Sequence, residues 1–135
     1  MKKKIAILIL AAVILIVGGA VWYNAPINLI NLDADDVLEI VVLNGATGNT
    51  THIDDEEQIR YIIENLNDVV VKRSKLSVGY VGYSFRVTIY LVGGDEADGR
   101  NNFIVNSEYS VRKDPFFYTV TEGEIDYAYI NDIVE

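Results

Sequence analysis

The pattern of hydrophobic and polar positions begins with an uninterrupted apolar run. Residues 5–22 carry no charged side chain, and three lysines at positions 2–4 precede them. Such a run has no polar face to turn toward water, so it predicts a membrane-directed segment and not a helix of a water-soluble domain. Because positively charged residues stay on the cytoplasmic side of a membrane, the chain after Trp22 is expected on the outer side.

Two interpretations of residues 1–23 remain open, a membrane anchor and a removable signal. A spanning helix needs about 17–25 apolar residues. Residues 5–22 reach the lower part of that range, and Trp22 and Tyr23 follow where interfacial aromatic residues are common. A signal peptide needs an apolar core of about 7–15 residues followed by a cleavage site of small residues. The small residues at positions 18–20 would allow cleavage after Ala20. We favour the anchor, which places the protein in the cell membrane with its N terminus inside, whereas cleavage would make it secreted.

The rest of the chain is predicted to contain a tether over residues 24–36 and one domain over residues 37–135. The domain's clearest element is a helix over residues 55–67, in which Asp54 has the position of an N-cap and Glu57 completes a capping box. Its apolar positions follow the spacing i, i+3, i+4 and i+7, which predicts one face packed on a sheet. The residues at these positions are Ile59, Ile62, Ile63 and Leu66.

Most other segments of the domain alternate between apolar and polar positions or are rich in β-branched residues, which predicts strands. They are residues 37–43, 50–53, 69–75, 83–92, 103–106, 109–112 and 116–121. Thr121 and Glu124 resemble a second capping box, which predicts a short C-terminal helix. Because strands and helices do not alternate regularly, the predicted fold class is α+β: a twisted antiparallel sheet with one main amphipathic helix on a face and a short C-terminal helix.

The composition of the chain excludes several kinds of chemistry. The chain has no cysteine, so it is not a lipoprotein attached through a cysteine and it has no disulfide or thiolate nucleophile. After the three N-terminal lysines, 8 basic residues face 20 acidic ones, a net charge of −12. That balance argues against nucleic acid and against docking on anionic lipid headgroups, because both require a basic surface. Its main expected consequence is solubility of the exported domain.

No residue set predicts a cofactor, a metal site or a catalytic site. The only histidine, His52, has Asp54 and Asp55 close by, but a zinc site needs three or four ligands, and His52 is better interpreted as the end of a strand. The acidic residues within 95–98 do not follow the order of an EF-hand loop, because Ala97 and Gly99 occupy ligand positions. We interpret this loop as a solvated turn, and weak calcium binding stays open.

The candidate binding surface is aromatic. Gly79 and Gly82 lead into a strand and do not open a helix, so they predict a bend next to tyrosines and not a phosphate loop. We expect an exposed strip near an arginine, and ordinary packing between strands is the equally weighted alternative. The residues of this strip are Tyr80, Tyr83, Arg86 and Tyr90.

Three phrases of the sequence, residues 52–59, residues 82–90 and residues 116–118 with 125–130, resemble small uncharacterised exported or membrane-anchored proteins of Gram-positive bacteria, domains of unknown function. The resemblance implies export and an α+β domain and brings no activity with it. The favoured function is a non-catalytic binding module of the cell envelope with a protein or peptide partner. The alternatives are an envelope enzyme that uses carboxylates and the ectodomain of a regulatory membrane complex.

Overall fold

The computed structural model describes residues 1–93 and 102–134. Helix α1, Lys2–Asn24, is apolar on every side, and none of its residues is buried. Its length and composition are sufficient for crossing a membrane, and a signal sequence would have the same properties. An N-terminal apolar helix is therefore present, compatible with an anchor or a signal.

The domain contains eight strands and two further helices within the described residues. The strands are β1 Ile27–Asn28, β2 Val37–Asn44, β3 Thr50–Ile53, β4 Val70–Leu76, β5 Phe85–Leu91, β6 Asn102–Val105, β7 Ser110–Lys113 and β8 Phe116–Glu122. They form one open sheet in the order β1-β4-β8-β7-β6-β5-β2-β3, with every neighbouring pair antiparallel. The helices are α2, Glu56–Asn67, and α3, Tyr127–Val134. The predicted α+β class is confirmed.

Helix α2 has the predicted apolar stripe, and all four of its residues are buried. The cap differs from the prediction, since the side chain of Asp55 and not that of Asp54 accepts the hydrogen bond from the Gln58 amide, at 2.9 Å. The reason is that Ile53 still pairs with Ile40 in the sheet. Asp54 is therefore the connecting residue between β3 and α2, and Asp55 takes the N-cap position.

Helix α3 also begins later than the predicted capping box. Thr121 lies within β8, which continues to pair with β4 as far as Glu122. The carboxylate of Asp126 instead accepts the amide of Tyr129 at 3.1 Å and caps the helix. The prediction was wrong here because strand pairing extended through the residues that resembled a cap.

Part of the predicted tether belongs to the folded domain. Ile27–Asn28 pair with β4, and Leu29 and Ile30 are buried in the core. The Asn67 side chain bonds both backbone groups of Leu32, at 3.0 Å to its N–H and 2.7 Å to its carbonyl oxygen. A strand of two residues has no periodicity to reveal it, so the sequence pattern did not indicate this pairing.

Both α2 and α3 pack on one face of the sheet, because their buried side chains join the same hydrophobic core as the inward residues of the strands. We call the opposite side of the sheet the outer face. Residues 77–84, which we call the strap, connect β4 to β5 and therefore cross β8, β7 and β6. The strap runs over the outer face, where Arg112 bonds its backbone.

Candidate functional site

Tyr80 lies on the strap with 53% of its surface exposed. Its ring meets that of Phe117 edge-on at a centroid distance of 5.0 Å. The ammonium of Lys75 lies 4.8 Å from the Tyr80 ring centre and donates to its hydroxyl at 3.4 Å. These contacts hold the ring against β8 and β4 and leave the rest of it open to a partner.

Tyr83 and Arg86 form a second group, at the end of the strap and on β5. The guanidinium of Arg86 lies 4.7 Å from the Tyr83 ring centre, a cation–π arrangement. Arg86 is exposed, whereas Tyr83 is half-buried. Tyr90 shares the outer face of β5 with Arg86, since they are four residues apart in one strand, and it is half-buried opposite Glu39.

The four predicted surface residues thus have two sets of neighbours on the outer face. Tyr83, Arg86 and Tyr90 lie at β5, and Tyr80 lies against Phe117 of β8. Their role as one binding surface stays a prediction. The sequence did not indicate this division, because it depends on the strap crossing three strands that follow it in the chain.

Arg112 is a structural residue that sequence reasoning did not single out. It is 8% exposed, and its Nη1 donates to the carbonyl oxygens of Tyr80 and Gly82 at 3.2 and 3.3 Å. Its Nε lies 3.8 Å from a carboxylate oxygen of Asp114, which also accepts the hydroxyl of Ser77 at 2.6 Å. These bonds attach the strap to the sheet, and alternation alone would have placed Arg112 in solvent.

The outer faces of β5, β2 and β3 are not covered by the strap, and we call them the open face. Val41 and Leu43 are half-buried there, with Leu43 opposite Arg86 and Val41 opposite Thr88. The imidazole Nδ1 of His52 lies 3.2 Å from Glu39 at the edge of the same surface. The open face therefore combines the apolar side chains of Val41 and Leu43 with the charged side chains of Arg86 and Glu39.

A shallow cleft of about 280 Å³ adjoins the open face on β5, β6 and β7. Two guanidinium side chains, Arg86 and Arg112, line it together with Asn102 and Ile104. Guanidinium groups match carboxylates in shape and charge, so the cleft can accept an acidic side chain. Asp114 also lines the cleft and partly offsets this positive charge.

A second open cleft, of about 320 Å³, lies where α2 meets α3 and brings Glu108, Glu124 and Asp126 near one another. Asp126 is already engaged there, because it accepts the hydroxyl of Tyr61 at 2.5 Å and caps α3. The Tyr61 hydrogen bond raises the pKa of the phenol, with desolvation adding to the effect. Asn65 bonds the backbone of both Glu124 and Asp126, so these residues join the two helices.

Within residues 1–93 and 102–134, no group of three or more His, Asp or Glu side chains is placed to hold a metal ion. His52 pairs with Glu39 and not with the two aspartates that follow it. The acidic loop 95–98, considered above for calcium, lies outside the described residues.

The junction between α1 and the domain is a further cluster that the sequence did not indicate. The Phe116 ring lies 5.9 Å, centroid to centroid, from each of the Trp22 and Tyr23 rings. Arg73 stacks on Trp22 from β4. The end of the apolar helix is thus packed on the sheet, and its aromatic residues are shared with the domain.

The resemblance to small exported proteins of Gram-positive bacteria stays a prediction. No family model, curated protein or solved structure matches this chain.

Proposed function

We propose that the protein is a membrane-anchored, non-catalytic binding module of the cell envelope. In this proposal α1 spans the membrane with Lys2–Lys4 inside, and the domain holds a protein or peptide partner outside it. The observation that carries the proposal is the open face: both helices pack on the other side of the sheet, and the strap covers only β6 to β8 of this side.

The partner is expected to place apolar side chains on Val41, Leu43 and Tyr90, which lie half-buried in adjacent strands. Burial of apolar area supplies most of the free energy of such contacts. An acidic side chain of the partner would enter the cleft beside Arg86 and Arg112. This pairing would give specificity, because the rest of the domain is strongly acidic and would repel acidic segments elsewhere.

The edge of the sheet offers a second means of holding the same partner. β3 ends the sheet order, so its outward backbone groups have no neighbouring strand in the described structure. An extended peptide can add to such an edge by backbone hydrogen bonds while its side chains lie on the adjoining face. The open face and this edge meet at His52 and Thr50.

Site-specific photocrosslinking in living cells tests the proposal. A photoreactive phenylalanine analogue at Tyr90 is expected to capture a defined extracytoplasmic protein, and Arg86→Glu in the same chain should abolish the product. The matched control is the same analogue at Tyr109, which is exposed at the turn between β6 and β7. Identical products at both positions, or products insensitive to Arg86→Glu, would contradict the proposed surface.

A further inference from the structure

We infer that the strap and the adjoining junction form a membrane-contacting surface, which lies in the interfacial region of the bilayer that holds α1. The inference rests on the proposed membrane anchor and adds a second point of contact between the domain and the lipid. Its partner is the lipid surface, and it is separate from the open face assigned above to a protein or peptide.

The exposed apolar side chains of the domain are concentrated at this place. From residue 24 onward, the large apolar residues that the structure shows exposed are Leu38, Tyr61, Leu76, Val78, Tyr80, Val81, Val92 and Tyr109. Half of them lie within residues 76–81, where Val78 is 76% and Val81 94% exposed. Four exposed apolar residues within six positions of the chain indicate a partner, because single exposed residues are normally scattered.

The position of the group points to lipid. Leu76 pairs with Phe116 across β4 and β8, and Phe116 touches both Trp22 and Tyr23. The strap therefore begins directly after a residue that adjoins the junction, and it passes from there onto the outer face. Trp22 and Tyr23 belong to the last turn of α1, where a spanning helix leaves the hydrocarbon core, and tryptophan and tyrosine favour this depth.

The local charge fits an approach to lipid headgroups. Between Asp68 and Asp95 the chain has no acidic residue, although it has 20 in total. The same stretch contains Lys72, Arg73 and Lys75 on β4, next to the strap. The acidic neighbour of the strap is Asp114, which accepts the hydroxyl of Ser77. The net charge of the whole domain opposes broad docking on anionic lipid, so contact is restricted to this basic and apolar side.

Contact on this side would orient the domain. Adjacent strands lie about 4.8 Å apart, and β5 is the fourth strand from β4 in the sheet. The open face therefore begins roughly 20 Å from the anchored edge. A domain that contacts lipid through the junction and the β4 end of the strap would keep β5, β2 and β3 accessible to a partner outside the membrane.

Depth-dependent fluorescence quenching tests the inference on the full chain. Because the chain lacks cysteine, single variants Leu10→Cys, Val81→Cys and Tyr109→Cys each carry one environment-sensitive label. The proteins are reconstituted in vesicles of zwitterionic and anionic phospholipid that contain spin-labelled lipids. We expect deep quenchers to act on position 10 and shallow quenchers to act several-fold more strongly on position 81 than on position 109.

The results at the three labelled positions distinguish failure of the membrane anchor from failure of the strap contact. Quenching at position 10 with equal, weak quenching at 81 and 109 would overturn the strap contact and leave the anchor intact. No quenching at position 10 would remove the anchor and, with it, the basis of the inference. A label at 81 that stays in water with lipid but becomes shielded by an envelope protein would assign the strap to a protein partner and overturn the lipid assignment.

Discussion

The guanidinium of Arg73 lies 3.7 Å from the centre of the Trp22 ring, and its Nη1 donates a hydrogen bond to the Trp22 carbonyl oxygen at 2.9 Å. The Trp22 carbonyl oxygen also accepts the N–H of Ala25 at 3.3 Å, so Arg73 adds a second donor at the end of the helix while its guanidinium lies over the indole. This pair joins the end of α1 to the central part of β4. Cleavage after Ala20 would leave Trp22 in the mature chain, so the contact is compatible with either fate of the N terminus.

Arg73→Ala is expected to loosen the junction between α1 and the domain. The substitution removes a cation–π contact and a hydrogen bond, each worth about 1 kcal/mol. Trp22 is the only tryptophan, so its fluorescence anisotropy should fall and its accessibility to a soluble quencher should rise. Lys72→Ala, on the opposite side of the same strand, is the control. Unchanged fluorescence in Arg73→Ala would show that the pair does not restrain Trp22.

Arg112→Leu is expected to release the strap. The carbonyl oxygens of Tyr80 and Gly82 would lose their donor beneath the strap, at a cost of about 1–3 kcal/mol. We expect a lower midpoint of thermal unfolding, measured by circular dichroism in detergent, and faster proteolysis within residues 77–84. Lys72→Leu removes a basic side chain from β4 on the same face and should change neither measurement appreciably. Equal behaviour of the two variants would contradict the structural role of Arg112.

The Tyr61–Asp126 hydrogen bond predicts an alkaline limit to stability. It raises the pKa of Tyr61 above the ordinary value, which is about 10. A raised pKa in the folded state means that the stabilisation is complete below about pH 10 and is lost as pH rises through the higher folded value. Tyr61→Phe should therefore weaken the alkaline fall of the unfolding midpoint.

Asp126→Asn is the informative companion variant, because Tyr61 and the Tyr129 amide bond different carboxylate oxygens of Asp126. An amide has only one acceptor oxygen, so it can keep the cap on α3 while its uncharged NH2 group faces the Tyr61 hydroxyl. This variant should therefore weaken the alkaline fall about as much as Tyr61→Phe does. Spectrophotometric titration of tyrosinate, combined with thermal unfolding at a series of pH values, measures both effects. The same pH dependence in the parent chain and in both variants would exclude a contribution from this pair.

Gly45→Ala is expected to disturb the end of the β2–β5 pairing. A Cβ atom at this position would lie 1.9 Å from the backbone carbonyl oxygen of Tyr83, and Gly45 also donates to the Ser84 carbonyl at 2.8 Å. The backbone must shift, which costs about 1–3 kcal/mol. Gly19→Ala, where no atom lies within 4 Å, is the control and should leave the unfolding midpoint unchanged.

The elements with strong periodicity were predictable from the sequence. The stripe of α2 and the alternation of β5 each required one buried face, and hydrophobic periodicity reports burial directly. Capping was less predictable, because Asp54 and Asp55 are equivalent as sequence signals. Pairing of Ile53 in the sheet decided between them.

The candidate site was predictable only as a set of residue types. Tyr80, Tyr83, Arg86 and Tyr90 are near one another along the chain, and the expectation of a single strip followed from that proximity. Tertiary structure divided them, since the strap carries Tyr80 to Phe117 while Tyr83 remains beside Arg86. Arg112 had no local signal because its partners lie 30 and 32 residues away.

By itself, the sequence determined the apolar N-terminal segment, the α+β class, the absence of cysteine chemistry and the acidic charge of the domain. These properties follow from composition and from sequence periods shorter than ten residues. Contacts within a single helix or strand determine such periods. Only the tertiary structure decided the strand order, the pairing of residues 27–28, the course of the strap and the stacking of Arg73 on Trp22. Each of these joins segments far apart in the chain, and their pairing depends on shape and hydrogen bonding that no local pattern specifies. The N-terminal apolar segment is therefore linked to the domain by the contacts of Trp22 with Arg73 and Phe116, which depend on the pairing of β4 with β8.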